Sequence, residues 1–125
     1  MNLFNYTELI NDKPIHIATI NPNSNPNLSV ASDVRVIDKN KIIISVNEMN
    51  NTQKNIQYND SVVITAFNND WVGLRMFGKA IYYNDGEYYD FCKNTFFSNN
   101  EVTPFGATKP KGAIVVTIDK IEDYK

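Results

Sequence analysis

One cysteine, one histidine and two arginines are all that this 125-residue chain offers of the side chains most used for covalent catalysis, metal ligation and bidentate anion binding. With Cys92 alone there is no intrachain disulfide framework and no cysteine-based zinc site. With His16 alone one chain cannot assemble a histidine-based metal site. No triad can be built from that pair, and no residue reads as a nucleophile beside an activating base. Ile15 and Ile17 flank His16 and set its imidazole on a strand face away from the core. Cys92, among Phe91, Phe96 and Phe97, reads as a small packed hydrophobe. Arg35 and Arg75 are the only guanidinium groups, although ten lysines are present.

Other absences narrow the class further. No Gly-x-Gly-x-x-Gly turn and no Gly-Lys-Ser/Thr loop occurs, so a nucleotide would not be held by a Rossmann turn or a P-loop. The formal charge is −2 and the basic residues are scattered, which leaves no footprint for duplex nucleic acid. No apolar run approaches the ~20 residues needed to cross a bilayer, and the N-terminus lacks the basic and apolar regions of a signal peptide. A soluble cytoplasmic protein is expected. The length suits one domain, 1–125, and no repeat or low-complexity linker divides it.

What is present is a series of short β-rich runs. Asn5 to Asn11 predicts a leading helix with Phe4, Leu9 and Ile10 as apolar contacts, ended by Pro14. Strands are expected at Ile15–Ile20, Leu28–Ile37 and Lys41–Val46, the first two separated by the Asn- and Pro-rich turn 21–27. Further strands are expected at Ser61–Phe67, Trp71–Tyr83 and Ala113–Ile118. Gly73 and Gly78 mark bends or bulges in the long fifth strand. Tyr88, Phe91, Cys92 and Thr95 at helical spacing predict a helix over Glu87–Phe97, and 98–111 reads as a loop. Six short, mostly antiparallel strands with hairpin-length connections remove their edges most economically by closing into a barrel. The expected fold is therefore mainly β, a six-stranded Greek-key barrel with two or three short helices.

The polar connector Asn47-Glu48-Met49-Asn50-Asn51-Thr52-Gln53-Lys54-Asn55 stands out between two apolar strands. It has neither Gly nor Pro and can form one or two helical turns from Asn51 or Thr52 to Tyr58. Free N–H groups at such a start, beside hydroxyl and amide side chains, suit a phosphate. On the residues alone Asn51 and Thr52 read more readily as plain helix caps than as an anion site. Arg75, in Leu74-Arg75-Met76-Phe77, reads either as a solvent-facing strand residue or as a contact to a cofactor or second subunit.

The order of these elements resembles the FMN-binding split β-barrel family that includes the pyridoxamine 5′-phosphate oxidases, and within it the small single-domain FMN-binding proteins. The likeness is carried by Ile17-Ala18-Thr19, Pro26-Asn27-Leu28-Ser29 and Val36-Ile37-Asp38, then by Met49-x-x-Thr52-x-x-Asn55 and Gly73-x-x-x-x-Gly78-x-Ala80. It covers nearly the whole chain from Pro14 onward. The resemblance implies a homodimer with FMN at the interface between barrels, and an oxidoreductase that passes electrons or hydride through flavin N5. It places Ser29, Val30 and Ala31 against the isoalloxazine ring, with Val46 and Asn47 nearby. Asn50, Asn51 and Thr52 would surround the phosphate. Gly73, Leu74 and Arg75 would lie near the cofactor, and Trp71 at the dimer seam.

Two departures stand out. Asn51-Thr52 replaces the adjacent Arg-Lys pair that holds the phosphate in the oxidases, leaving Lys54 or Arg75 to supply positive charge. No cluster of Arg, His and Tyr corresponds to the pyridoxamine phosphate site, which argues against pyridoxamine oxidation itself. Alternative readings are a non-catalytic flavin-binding or electron-relay protein, or a barrel of the same fold that binds another small ligand. An oligonucleotide-binding barrel would want a basic groove beside its aromatics, and Asp85, Glu87 and Asp90 stand there instead.

Overall fold

The computed structural model describes residues 1–48, 51–97, 106 and 108–123. A 3-10 turn at Leu3–Tyr6 runs into the short helix α1 (Thr7–Ile10). Seven strands follow: β1 (Ile15–Ile20), β2 (Pro26–Ala31), β3 (Val34–Asp38), β4 (Lys41–Val46), β5 (Ser61–Phe67), β6 (Gly73–Tyr83) and β7 (Gly112–Asp123). Helix α2 (Asn51–Tyr58) joins β4 to β5, and α3 (Glu87–Phe96) follows β6. The strands form one sheet in the order β2-β1-β5-β6-β7-β4-β3, with every neighbouring pair antiparallel.

The topology itself requires curvature. β2 and β3 are consecutive in the chain but occupy opposite edges of the sheet. A flat seven-strand sheet would hold its edges about 29 Å apart, from six spacings near 4.8 Å. The two-residue link Ser32-Asp33 can span only about 10 Å. The sheet therefore curls until its edges nearly meet, and β2 and β3 remain unpaired with each other, so the barrel is split.

The run Leu28–Ile37, expected to be one strand, is two. Along β2 the residues turned inward are Asn27, Ser29 and Ala31, whereas along β3 they are Val34 and Val36. That change of parity cannot occur within a continuous strand, whose side chains alternate strictly. It happens at Ser32-Asp33, where the Asp33 carbonyl leaves the β2 edge and accepts the Ser45 N–H at 2.9 Å. This raises the strand count from six to seven. The last strand also runs further than Ala113–Ile118, because its charged end continues to pair with β6 as far as Leu74↔Asp123.

Ile15, Ile17, Val34, Ile42, Ile44, Ile64, Leu74, Met76, Ile114 and Val116 fill the inside of the barrel. Leu3 and Ile10 close one end and Ile56 of α2 joins the same core. At the N-terminus Leu3, not Phe4, is the buried contact, and Phe4 is exposed. A smaller cluster lies outside the barrel wall under α3, built from Ile43, Cys92, Ala113 and Val115. Among the described residues, no helix lies over the outer face of β2-β1-β5-β6. There Leu28 is 66% and Val30 57% exposed.

Gly78 has a clear reason to be glycine. It sits where β7 carries an extra residue, Asp119, between the pairs Phe77↔Lys120 and Gly78↔Ile118. A Cβ there would overlap the backbone carbonyl of Thr117, and one on Gly73 would overlap that of Ala66.

Candidate functional site

Helix α2 arises from a segment of mixed helix propensity, and tertiary contacts hold it in place. Thr52, Asn55 and Ile56 fall on one face at the i, i+3, i+4 spacing, and all three are buried. Thr52 is 1% exposed, and its Oγ1 lies 2.6 Å from Ser29 Oγ on β2. Asn55 Nδ2 donates to Thr19 Oγ1 on β1 at 3.0 Å. Asn27 Nδ2 reaches Ser29 Oγ at 3.5 Å, a weaker contact. Two polar ties therefore fasten α2 to the sheet, one to the β2 edge where the barrel is split and one to the neighbouring β1.

The Ser29–Thr52 contact has a useful property. Two hydroxyls carry two protons, and their mutual bond occupies one of them. The second proton remains available to an outside acceptor, beside the backbone N–H groups of the helix start, which have no intrahelical acceptor. Gln53, in the same first turn, holds a buried Oε1 that has no hydrogen-bond partner among the described residues. An amide whose bonding is incomplete, in the same helical turn as the Thr52 hydroxyl, suits a polar ligand carrying hydroxyls and an anion. Positive charge on α2 comes from Lys54 alone, which is exposed and in no ion pair among the described residues.

A second polar chain runs below the first. Ser45 Oγ donates to Asn47 Oδ1 at 2.8 Å, and Asn47 Nδ2 donates to Asp33 Oδ2 at 2.8 Å. Burial pushes the Cys92 thiol, in the cluster under α3, up to about 12. Such a thiol stays protonated and unreactive at neutral pH. Asn47 thus has both ends of its amide fixed by the protein.

Of the residues the resemblance assigns to flavin, Ser29 meets Thr52 in the first turn of α2, which Asn51 begins, and Asn47 follows β4. Asn50 lies outside the described residues. Val46 and Leu74 point into the core, so only their backbones could meet a ligand. The Val46 carbonyl already accepts the Lys111 N–H at 2.7 Å. Ala31 is buried and Val30 turns outward on the sheet.

The β6 residues do not join this group within one chain. Arg75 stands in a row with Thr65, His16 and Val30, three strand spacings or about 14 Å from β2. It faces the outside of the barrel, where it pairs with Glu122 at 3.1 Å. Lys120 holds the Glu122 carboxyl below its usual range, with Arg75 adding to the effect. Trp71 lies further away. Ala18, next to Thr19, is opposite Val63, and Phe67 is four residues beyond it along β5, about 13 Å. Trp71 occupies the turn after Phe67 rather than the strand, with a positive φ of 60°.

Sequence reasoning passed over Thr19, Gln53 and Asp33. The signal for Asn55 was present in Thr52-x-x-Asn55, whose spacing puts both side chains on one helix face.

A family model described as pyridoxamine 5′-phosphate oxidase matches residues 5–124. The chain belongs to the pyridoxamine 5′-phosphate oxidase family. Among relatives, the uncharacterized protein MJ0282 of Methanocaldococcus jannaschii is 33% identical over 113 residues, 89% of this chain and 72% of that protein. Among solved structures, HupZ of group A Streptococcus superposes with a TM-score of 0.84 over 98% of this chain and 94% of its own, at 22% identity. An FMN-binding protein of Syntrophomonas wolfei superposes with a TM-score of 0.74 over 89% and 76% of the two chains, also at 22% identity. At these identities the likeness to the solved structures is one of fold, and it makes the curled, split sheet the family's barrel.

Proposed function

We propose that the protein binds FMN with its phosphate at the start of α2, and that it works as an FMN-dependent oxidoreductase on a small, unidentified electron acceptor. The observation that carries this reading is the Ser29–Thr52 hydroxyl pair at 2.6 Å, set between α2 and the β2 edge of the split barrel with one proton to donate. Membership of the pyridoxamine 5′-phosphate oxidase family supports it, as does a shared fold with an FMN-binding protein. When bound, flavin supplies one- and two-electron chemistry, with hydride transfer at N5. The chain's own part is binding and orientation. Ser29, Asn51, Thr52 and the adjacent N–H groups would hold the phosphate. Gln53 would complete its amide bonds on ribityl hydroxyls, and the backbone of Ser29, Val30 and Ala31 would border the ring.

A homodimer belongs to the same proposal. The uncovered outer face with Leu28 and Val30 is an apolar patch of the kind that marks an interface, and a second copy is the expected cover. Arg75 of one chain cannot neutralise that chain's own phosphate site, since it faces outward three strands away.

The second reading, a non-catalytic flavin carrier or single-electron relay, is favoured by one feature. Among the described residues, the side chains that bond to Ser29 and Thr52 are a hydroxyl pair and the Asn27 amide, and neither an acid nor a base bonds to them. Purification and a visible spectrum test the proposal at its first step. The expected result is a yellow protein, or one that takes up one FMN per chain on mixing. A protein that stays colourless after mixing with micromolar FMN contradicts it. Reduction of the bound flavin by NADH or NADPH at a catalytic rate would favour the enzyme over the relay.

A further inference from the structure

β3 and β4 lie outside the face that a second copy is proposed to cover. They turn Arg35, Ile37, Lys41 and Ile43 away from the barrel core, and α3 packs beside them. Between sheet and helix runs a groove of about 560 Å³, lined by Ile37 and Ile43 on one side and by Tyr88 and Phe91 on the other.

The two ends of this groove differ in charge. Arg35 stands at one end, 5.8 Å over the ring of Phe96 in the last turn of α3. Asp38 and Glu87 stand at the other. Asp38 is three residues further along β3, about 10 Å, and Glu87 opens α3 at the end opposite Phe96. Lys41 pairs with Asp38 in the β3–β4 register and offsets its charge, which leaves the Glu87 carboxylate in excess. Among the described residues, Asp38, Lys41 and Glu87 form no ion pair.

Arg35 is held so that its guanidinium points one way. Its Nε donates to Asp12 Oδ1 at 3.2 Å, and its Nη2 lies 3.1 Å from Asp12 Oδ2. Asp12 is itself locked to the β3 edge. Its N–H bonds to the Val34 carbonyl at 2.9 Å, and Oδ1 of the preceding Asn11 accepts the Val36 N–H at 2.8 Å. Asp12 keeps this place at a left-handed φ of 58°. An exposed ion pair adds little to stability, so the grip chiefly fixes the guanidinium. Nη1 has no hydrogen-bond partner among the described residues. A carboxylate can take Nη1 together with the second proton of Nη2 in the bidentate manner.

We propose that this groove is a second ligand site, which takes a short apolar peptide in extended form, with its terminal carboxylate on Arg35 and its amino end at Glu87. Three parts of the groove converge on that class. The fixed guanidinium suits a planar anion, the acidic end suits a cation, and Ile37, Ile43 and Phe91 suit apolar groups between them. Length agrees as well, because three extended residues span about 10 Å. Nucleotides and other polyanions meet like charge at Asp38 and Glu87. The site shares no residue with the flavin reading.

The test compares three forms of the tripeptide Ala-Val-Phe: free at both ends, amidated at the C-terminus, and acetylated at the N-terminus. Isotope-labelled wild-type protein is titrated with each while backbone amide shifts are followed by NMR. The free peptide is expected to give saturable shifts on β3 and α3 at up to millimolar concentration. The amide is expected to bind roughly tenfold more weakly, the loss of one charge-assisted contact, and the acetylated form to lose less. Arg35→Gln is expected to bind acid and amide alike, at the affinity of wild type for the amide. Each of four results would overturn the proposal: no saturable shift at millimolar peptide, equal binding of acid and amide by wild type, shifts centred on β1 and β5 instead, or an Arg35→Gln protein that still prefers the acid. The comparison of acid with amide uses the unaltered protein, so it decides even if the variant fails to fold.

Discussion

At Thr52 a structural tie and a ligand contact use the same hydroxyl. Its bond to Ser29 fastens α2 to β2, while the spare proton of the pair is what an anion would take. Either side chain lost would leave its partner with one bond fewer in a mostly buried place, at about 1 kcal/mol of stability. Nothing in the sequence links positions 29 and 52 except the family resemblance, because two hydroxyls have no periodic signature. The Thr52-x-x-Asn55 face, by contrast, follows from helical spacing alone. Cys92 was legible as a packed thiol for the same kind of reason, its aromatic helical neighbours. Its raised pKa makes two measurable statements. Below about pH 9 the folded thiol should resist iodoacetamide and react only on unfolding, which labelling across a urea gradient checks. Unfolding frees a group that ionises at a lower pH than in the fold, where burial holds it up to about 12. The stability it contributes is therefore complete below the unfolded pKa and falls as pH rises through the window from about 9 to about 12. Tyr82, raised by burial and then by Tyr89, loses stability in the same direction. Melting temperatures that rise between pH 9 and 11 would contradict both.

Strand and helix limits were legible wherever apolar alternation met a clear turn. Ile15–Ile20, Lys41–Val46 and Ser61–Phe67 come out residue for residue. The link at Ser32-Asp33 was missed because β-branched residues continue on both sides of it. Two small polar residues in such a run look like an irregular strand until the inside–outside alternation is counted across them. The charged end of β7 was missed because outward acidic and basic residues hide its pairing with β6. The glycines of Gly73-x-x-x-x-Gly78, part of the family likeness, have a structural explanation in the close approach of neighbouring backbones. Gly78→Ala would push a methyl into the Thr117 carbonyl, beside the bulge at Asp119. It is expected to cost about 1–3 kcal/mol, the usual range for overpacking, measured as a lower urea midpoint. An unchanged midpoint would mean that the bulge can relax around the added methyl.

At the scale of the whole molecule, the two-residue link between opposite sheet edges is what makes the barrel, and the barrel's split is what places α2 beside β2. Among the described residues no helix covers the outer face of β2-β1-β5-β6, and a second copy is proposed to cover it. A double change of Leu28 and Val30 to Glu is expected to convert a dimer into a monomer without unfolding the barrel, because both side chains point away from the core. Sedimentation of wild type and variant checks this, and a wild-type protein that is already monomeric at all concentrations would refute the dimer. The flavin phosphate at the α2 start is the central claim, and it is tested most directly by comparing FMN with riboflavin in wild type and Thr52→Ala. A lost hydrogen bond to a charged partner is worth about 1.5–3 kcal/mol, roughly ten- to a hundredfold in affinity. Wild type is expected to bind FMN much more tightly than riboflavin, and Thr52→Ala to weaken FMN by that factor while leaving riboflavin nearly unchanged. An equal loss for both flavins, or no loss for either, would contradict the account.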